Sequence, residues 1–115
     1  MLNQCVIVGR IAKDVEIKEL EGNRKQMILN LAVPRSLKNE FGEYETDFID
    51  VILWNGIAQN VEEYCKKGDL VGIKGRLQSV KENDKNLLSL VAEKVTFLSS
   101  KASTKDNPNP TEDEE

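Results

Sequence analysis

The central feature of the sequence is an alternation of apolar and other side chains over residues 47–54. Side chains of a β-strand point alternately to its two faces. Ile49, Val51 and Leu53 therefore share one wholly apolar face, which predicts a strand with one side in a core. The other face carries two aromatic rings with a carboxylate between them, in the order Phe48, Asp50, Ile52 and Trp54. A face of that composition suits contact with flat groups outside the protein, and nucleic-acid bases are such groups.

Alternation also predicts two strands before this one. Residues 4–12 are predicted to form a strand with Gly9 inside it, and a glycine within a strand usually marks a bulge or a bend of the kind that small barrels need. Residues 25–33 return as the second strand of a hairpin. Pro34 is expected to end that strand. Residues 35–45 then form a long connection without periodicity, and such a connection in a small domain is more often functional than idle.

The second half of the chain changes period once and then returns to alternation. Apolar residues at helical spacing over residues 55–67 predict an amphipathic helix, with Asn55 as its N-cap and Gly68 as its stop. Strands are expected at residues 70–80 and 87–98. Three strands, a helix and two strands predict an all-β fold with one short helix, a five-stranded OB-fold barrel whose face and loops commonly bind oligonucleotides.

The fourth predicted strand has a basic face. Val71, Ile73 and Leu77 are expected to face inward. The alternate positions lie about 6.6 Å apart along the strand and are expected to face outward, where phosphate contacts are plausible. They are Lys74, Arg76 and Gln78.

Composition bounds the partners and the chemistry. The 115 residues suffice for one hydrophobic core, and we expect a domain over residues 1–98 and a disordered acidic tail over residues 99–115. Of the net charge of -4, residues 101–115 carry -3. A nearly neutral domain can still have a basic groove.

Several classes of function are disfavoured by residue type. The chain has no histidine and two cysteines, Cys5 and Cys65, without C-x-x-C spacing, so His-based triads and the common zinc sites are excluded and reduced thiols are expected. No cofactor, no metal and no enzymatic activity are predicted. A nuclease that binds a metal through Glu45 and Asp47 is the enzymatic alternative, but a third ligand and a general base are lacking. No membrane segment or signal peptide is evident, and a cytoplasmic location is expected.

A set of short motifs places the chain beside a known family. In order along residues 1–98 they are Asn3, Val8-Gly9-Arg10, Asp14, Ala32-Val33, Phe48-Ile49, Trp54, Asn60-Val61, Lys66-Lys67-Gly68, Gly75-Arg76-Leu77-Gln78 and Phe97-Leu98. With these the chain resembles the bacterial single-stranded DNA-binding proteins. The resemblance implies an OB-fold homotetramer that wraps single-stranded DNA in replication, recombination and repair, in the cytoplasm and associated with the nucleoid.

The resemblance also implies roles for particular residues. Phe48 and Trp54 match two of the family's four base-stacking aromatic positions. Together with the outward and basic side chains, they complete the set of expected DNA-binding residues: Phe48, Trp54, Arg10, Arg35, Lys74, Arg76 and Gln78.

Departures from the family pattern predict a weaker binder than its typical members. Leu37 and Glu82 stand where the family has its other two aromatics, and Asp50 shares the strand face of the rings. The sequence ends in residues 112–115 without the family's hydrophobic Pro-Phe terminus, so recruitment of replication or repair proteins through the acidic tail is expected to be weak. Two alternatives stay open: an OB-fold assembly protein or modulator that acts mainly through protein contacts, and an RNA-binding OB module.

Overall fold

The computed structural model describes residues 1–99 and shows six strands and one helix. In chain order they are β1 (Cys5–Ile11), β2 (Lys18–Leu20), β3 (Arg24–Lys38), β4 (Tyr44–Trp54), α1 (Asn55–Tyr64), β5 (Leu70–Glu82) and β6 (Lys85–Ser99). The predicted tail, apart from Ser99, lies outside the described residues.

Five of the strands close into a barrel. Neighbouring strands follow the order β1-β5-β6-β4-β3, and β3 pairs back with β1. The short strand β2 extends the sheet beyond β3. All pairings are antiparallel except that of β4 with β6. The predicted five-stranded barrel with a helix between its third and fourth strands is therefore confirmed.

The six-stranded sheet consists of two three-stranded halves. Long antiparallel ladders join β1, β5 and β6 in one half and β2, β3 and β4 in the other. The halves meet along two short seams of two residue pairs each. One seam pairs Arg10 with Ala32 and Ile11 with Leu31, and the other pairs β4 with β6 through Val51–Leu90 and Ile52–Val91.

The core follows the predicted alternation. Val51 and Leu53 of β4 are fully buried, and Ile49 beside them is partly buried. They pack in one cluster with the inward side chains of the other strands and of α1, including Ile11, Met27, Leu29, Leu31, Ala58, Val61, Val71, Ile73, Leu90 and Ala92. Burial of such side chains is the main stabilising contribution in a domain of this size.

Leu77 was expected to face inward. It is paired with Leu90 of the core and so lies on the inner side of the sheet, but its side chain is still 42% exposed. The pairing of β6 with β4 ends at Leu90, opposite Leu77, and beyond this point β5 and β6 run past the barrel as a hairpin, so Leu77 lies at the edge of the covered core. The Leu77 backbone is instead held by Asn3, whose side chain accepts from the Leu77 N–H at 2.9 Å and donates to its carbonyl at 2.8 Å.

Two glycines allow strands to approach closely. A Cβ at Gly9 would lie 2.8 Å from the Ala32 carbonyl oxygen, and one at Gly75 would lie 2.4 Å from the Val91 carbonyl oxygen. Both distances are too short for a side chain. Gly9 stands beside the seam of β1 and β3, and Gly75 stands at the register shift between β5 and β6.

Pro34 does not end β3, which contradicts the sequence prediction. The strand continues to Lys38, and Pro34 pairs with Thr46 before a register shift. Proline lacks an N–H, and it is tolerated where a strand has a free edge. Pairing with β1 extends to Ala32, so β3 has such an edge at Pro34. The predicted connection over residues 35–45 is therefore a two-stranded ribbon with a short turn at residues 39–43.

The helix is shorter than predicted, since it ends at Tyr64 and not at Lys67. Trp54 takes the N-cap position and gives no side-chain cap. The proposed cap residue, Asn55, has a φ of 48° and accepts a hydrogen bond at its Oδ1 from the Lys25 N–H of β3, at 3.0 Å. Asn55 therefore joins the helix to the sheet, where a cap had been expected.

Candidate nucleic-acid interface

Phe48 is the most open ring on the outer face of β4. Its side chain is 66% exposed. Its partner on β3 is Ala32, and the short methyl group leaves the ring uncovered. Asp50, Ile52 and Trp54 follow on the same face, as the alternation predicted. The ring is available to a flat ligand group without any rearrangement.

Trp54 ends this face and is half-covered. The guanidinium carbon of Arg24 lies 5.6 Å from the centroid of its ring, a cation–π contact. Sequence reasoning missed Arg24. Gln26 is the direct partner of Trp54, and Arg24 lies two residues from Gln26 on the same face of β3. Alternation on β3 carried that signal, because it groups Arg24, Gln26 and Ile28 on one face.

The face continues across the second seam to β5. Ile28 is paired with Ile52, Ile52 with Val91, and Val91 with Arg76, so these four residues form a row across β3, β4, β6 and β5. Arg76 donates to Gln78 Oε1 at 3.1 Å and lies 3.5 Å from Glu93. The structure thus places the predicted Arg76 and Gln78 on the same outer sheet surface as the two rings, and we call this surface the ring face.

Lys74 and Arg10 lie further around the barrel. Lys74 is exposed and is paired with Val6 of β1 and Lys94 of β6. The Arg10 side chain donates to the Gly68 carbonyl at 3.0 Å, near the start of β5. These two cations are not brought next to the rings.

Arg35 is occupied by two carboxylates. Its guanidinium lies 2.9 Å from Glu45 and 2.9 Å from Asp47, and its Nε donates to the second Asp47 oxygen at 3.1 Å. The hydrogen bond from Arg35 lowers the pKa of the Asp47 carboxyl, and the same contact, with the charge of Glu45, raises the pKa of Arg35. The two carboxylates considered as metal ligands therefore hold an arginine, and among residues 1–99 no group of side chains suits a metal ion.

The ribbon of β3 and β4 exposes further apolar side chains near its tip. Leu37 is 80% exposed, Phe41 78% and Tyr44 59%. Asn39 orders the turn, because its Oδ1 accepts from the N–H groups of Phe41 and Glu43. The Lys38 ammonium lies 5.6 Å from the Tyr44 ring centroid. Sequence reasoning had treated this segment as an irregular loop and had assigned no role to these rings.

Glu82 ends β5 and is paired with Lys85, just outside a two-residue turn. The turn residues Asn83 and Asp84 have φ values of 52° and 63°, which are typical of a tight hairpin turn. The turn is thus shorter than the gap of residues 81–86 between the two predicted strands, and Glu82 flanks it.

Both thiols are free, as expected, and Cys65 is buried. Burial, with the charge of Asp69, raises the pKa of the Cys65 thiol to about 11. Such a thiol is protonated and inert at neutral pH. Within the described residues no helix is long and apolar enough to cross a membrane.

A closed barrel of this strand order with exposed rings on one face is a nucleic-acid-binding type of OB fold. The model of the Single-strand binding protein family matches residues 2–98, and the chain belongs to this family. The match is to a family of binding proteins and not of enzymes.

Curated relatives are similar over most of the chain. Single-stranded DNA-binding protein 1 of Clostridium acetobutylicum is 41% identical over 107 residues, which cover 87% of this chain and 96% of the relative. Single-stranded DNA-binding protein B of Bacillus subtilis is 37% identical over 106 residues, which cover 88% and 94%. Single-stranded DNA-binding protein 1 of Streptococcus agalactiae serotype III is 38% identical over 115 residues, which cover 96% and 70%.

Solved structures show the same fold at lower identity. The Plasmodium falciparum SSB complex with ssDNA superposes with a TM-score of 0.73 and 22% identity, over 86% of this chain and 96% of that one. A deletion mutant of the single-stranded DNA binding protein from Thermus aquaticus gives 0.72 and 22%, over 88% of this chain. The present chain spans about half of the Thermus aquaticus chain, 52%.

Proposed function

We propose that the protein binds single-stranded DNA without a fixed target sequence, across the ring face. Phe48 and Trp54 act as stacking platforms. The two rings are six positions apart along the strand, or about 20 Å, which leaves room for several nucleotides between them. An OB fold commonly binds about 4 to 16 nucleotides, so one strand of DNA can occupy both platforms.

The observation that carries the proposal is the exposure of Phe48. A benzyl side chain that is 66% exposed, with Ala32 opposite, contributes little to the stability of the barrel. It does contribute a flat apolar surface, and relatives of 37% to 41% identity are named single-stranded DNA-binding proteins.

Phosphate contacts are proposed for five polar residues, and they differ in availability. Arg76 and Gln78 are well placed, because they share the ring face. Lys74 and Arg10 lie outside the ring face, and DNA can contact them only where it extends beyond this face. Arg35 must exchange its two carboxylate partners for a phosphate, so its contribution is expected to be the weakest.

The assembly and its setting are part of the same proposal. Val6 is 72% and Val8 48% exposed on the outer side of β1, and an open apolar strand face supports contact between subunits. We expect a homotetramer that protects single-stranded DNA in replication, recombination and repair, in the cytoplasm beside the nucleoid. We also expect a domain over residues 1–98, with weak recruitment of partners through the acidic tail over residues 99–115.

A titration with oligo-dT at two salt concentrations, followed by Trp54 emission, tests the function. Emission should fall on binding, and affinity should fall with salt. Competition with poly-U separates DNA from RNA binding, since stacking alone does not distinguish the sugars. Absence of binding at low salt would reject the proposal in favour of a role through protein contacts. The pairing of Arg35 with Glu45 and Asp47, which occupies a cation expected to bind phosphate, would be consistent with that role.

Lys74→Ala and Arg76→Ala test the phosphate contacts. Each should lower the slope of affinity against salt by about 0.7, the value for one single-strand phosphate contact. Lys74 lies beside Val6, so an unchanged slope with an altered mass would assign it to the subunit contact.

A further inference from the structure

Asp50 stands in the middle of the ring face. It lies two residues from Phe48 and four from Trp54 on the same side of β4, about 7 Å and 13 Å along the strand. Its side chain is exposed, and among residues 1–99 it forms no ion pair. A strand of DNA that spans both rings must therefore pass over an uncompensated carboxylate.

Asn30 fixes the orientation of this carboxylate. The two residues are direct partners on β3 and β4, and Asn30 Nδ2 donates to Asp50 Oδ1 at 2.8 Å. Asn30 retains 9% of its accessible surface, and its own Oδ1 is buried without a hydrogen-bond partner in the described part of the chain. Burial of an unpaired amide oxygen is unfavourable, so packing alone does not explain an asparagine here. Its visible effect is to hold Oδ1 of Asp50, whose side chain is exposed on the ring face.

The chemistry of the carboxylate selects what can lie against it. An ionised carboxylate accepts hydrogen bonds and donates none, and it repels phosphate. DNA between the rings is therefore expected to turn base edges towards Asp50. Cytosine, adenine and guanine offer an amino group on the edge used for pairing, and aspartate accepts from cytosine N4. Thymine offers its N3–H between two carbonyl oxygens, which face the carboxylate unfavourably.

We propose that Asp50, positioned by Asn30, accepts a hydrogen bond from the amino group of a base bound between Phe48 and Trp54. The ring face then favours cytosine over thymine at that position. This inference rests on the proposed function. It adds a base preference to a surface whose stacking rings accept any base.

The test compares oligo-dC and oligo-dT of equal length at pH 8 with the full chain and with Asp50→Asn. Asparagine keeps the size of the side chain but has both an acceptor and a donor, so it can pair with either base. The ratio of the oligo-dT to the oligo-dC dissociation constant should fall roughly fivefold in the variant, as expected for loss of one base-edge contact. Intrinsic differences between oligo-dC and oligo-dT affect the parent and the variant alike, so they cancel when the two ratios are compared.

Two further variants separate readout from general charge. Glu62→Gln removes an exposed carboxylate on α1, which is not one of the strand residues of the ring face, and should leave the ratio unchanged. Asn30→Val removes the donor to Asp50 and should lower the ratio in the direction of Asp50→Asn, whereas a merely structural role would change both affinities equally.

Equal tightening of both oligonucleotides in Asp50→Asn would show that Asp50 acts through repulsion alone and would overturn the inference. An unchanged ratio would overturn it as well. If the parent protein binds neither oligonucleotide, the proposed function fails and the inference falls with it.

Discussion

Trp54 is at once part of the sheet and part of the ring face. Arg24 covers the ring at 5.6 Å, and the side chain is half-buried, so a base can stack only on what remains open or by displacing Arg24. Phe48 has no such cover. The two stacking platforms therefore differ. Phe48 is open to a base, whereas a base that covers the Trp54 ring replaces its contact with Arg24.

Replacement of Trp54 tests the stacking role. Trp54→Ala should weaken oligo-dT binding by roughly 1 to 3 kcal/mol, the usual value for one stacked base. Trp54→Phe keeps a ring and should lose less. Fluorescence anisotropy of labelled oligo-dT measures both, with circular dichroism as the control for folding. Unchanged affinity in a folded Trp54→Ala protein would assign the ring to packing.

At this scale, alternation predicted which side chains share a face but not which partners they find. Phe48, Asp50 and Trp54 were placed correctly from β4 alone. The engagement of Arg35 could not be predicted, because it depends on the register of β3 against β4 within a ribbon that Pro34 was expected to interrupt. Asn30 was missed for the same reason, since its role exists only across strands, whereas Arg24 was missed although alternation along β3 groups it with Gln26 and Ile28.

The hairpin of β5 and β6 carries Glu82, where the resemblance implies an aromatic residue. Leu77, Val80, Leu87 and Leu88 are 41% to 73% exposed there, so the hairpin projects apolar surface without a ring. Glu82 is at its tip, beside a turn whose residues Asn83 and Asp84 favour the left-handed region.

Glu82→Tyr should strengthen oligo-dT binding. The ring adds roughly 1 to 3 kcal/mol of stacking, and loss of the charge adds a smaller contribution that fades with salt. Glu82→Gln isolates the charge and should show the salt-dependent part alone. Residue 82 is exposed, so the midpoint of thermal unfolding should hardly move. A folded Glu82→Tyr protein that binds no better than the parent would place this hairpin off the DNA path.

The helix and the strands were predicted well where the local hydrophobic period determines the structure. They were predicted less well where contacts with neighbouring strands determine it. The core strands and the helix followed from periods of two and 3.6 residues. The ends did not. Pro34 lies within β3 and pairs with Thr46 because the other edge of β3 is free there, and Leu77 is exposed because the β5–β6 hairpin leaves the barrel at this point. Neither fact can be read from the local sequence.

At the scale of the whole molecule, the proposed contact between subunits is the outer side of β1, where Val6 is 72% and Val8 48% exposed. Static light scattering at micromolar concentration should give a tetramer. Val6→Asp places a charge on this surface and should reduce the mass. Ile28→Asp, at an apolar side chain on the ring face that is 56% exposed, is the matched control and should leave the mass unchanged. A monomeric parent would remove the basis for wrapping DNA around an assembly.

The two short seams are the places where the barrel is expected to open most readily. Each joins the halves through two residue pairs, so amide exchange in native protein should be fastest where the halves part, at Ile52 and Val91, relative to the long ladders of β3–β4 and β5–β6. The ring face crosses the seam of β4 and β6, with Phe48 and Trp54 on one half of the sheet and Arg76 on the other. A single strand of DNA bound to both halves opposes their separation. Hydrogen exchange should therefore slow at the seam of β4 and β6 on saturation with oligo-dT, while equal protection throughout the barrel would show that the halves do not open separately.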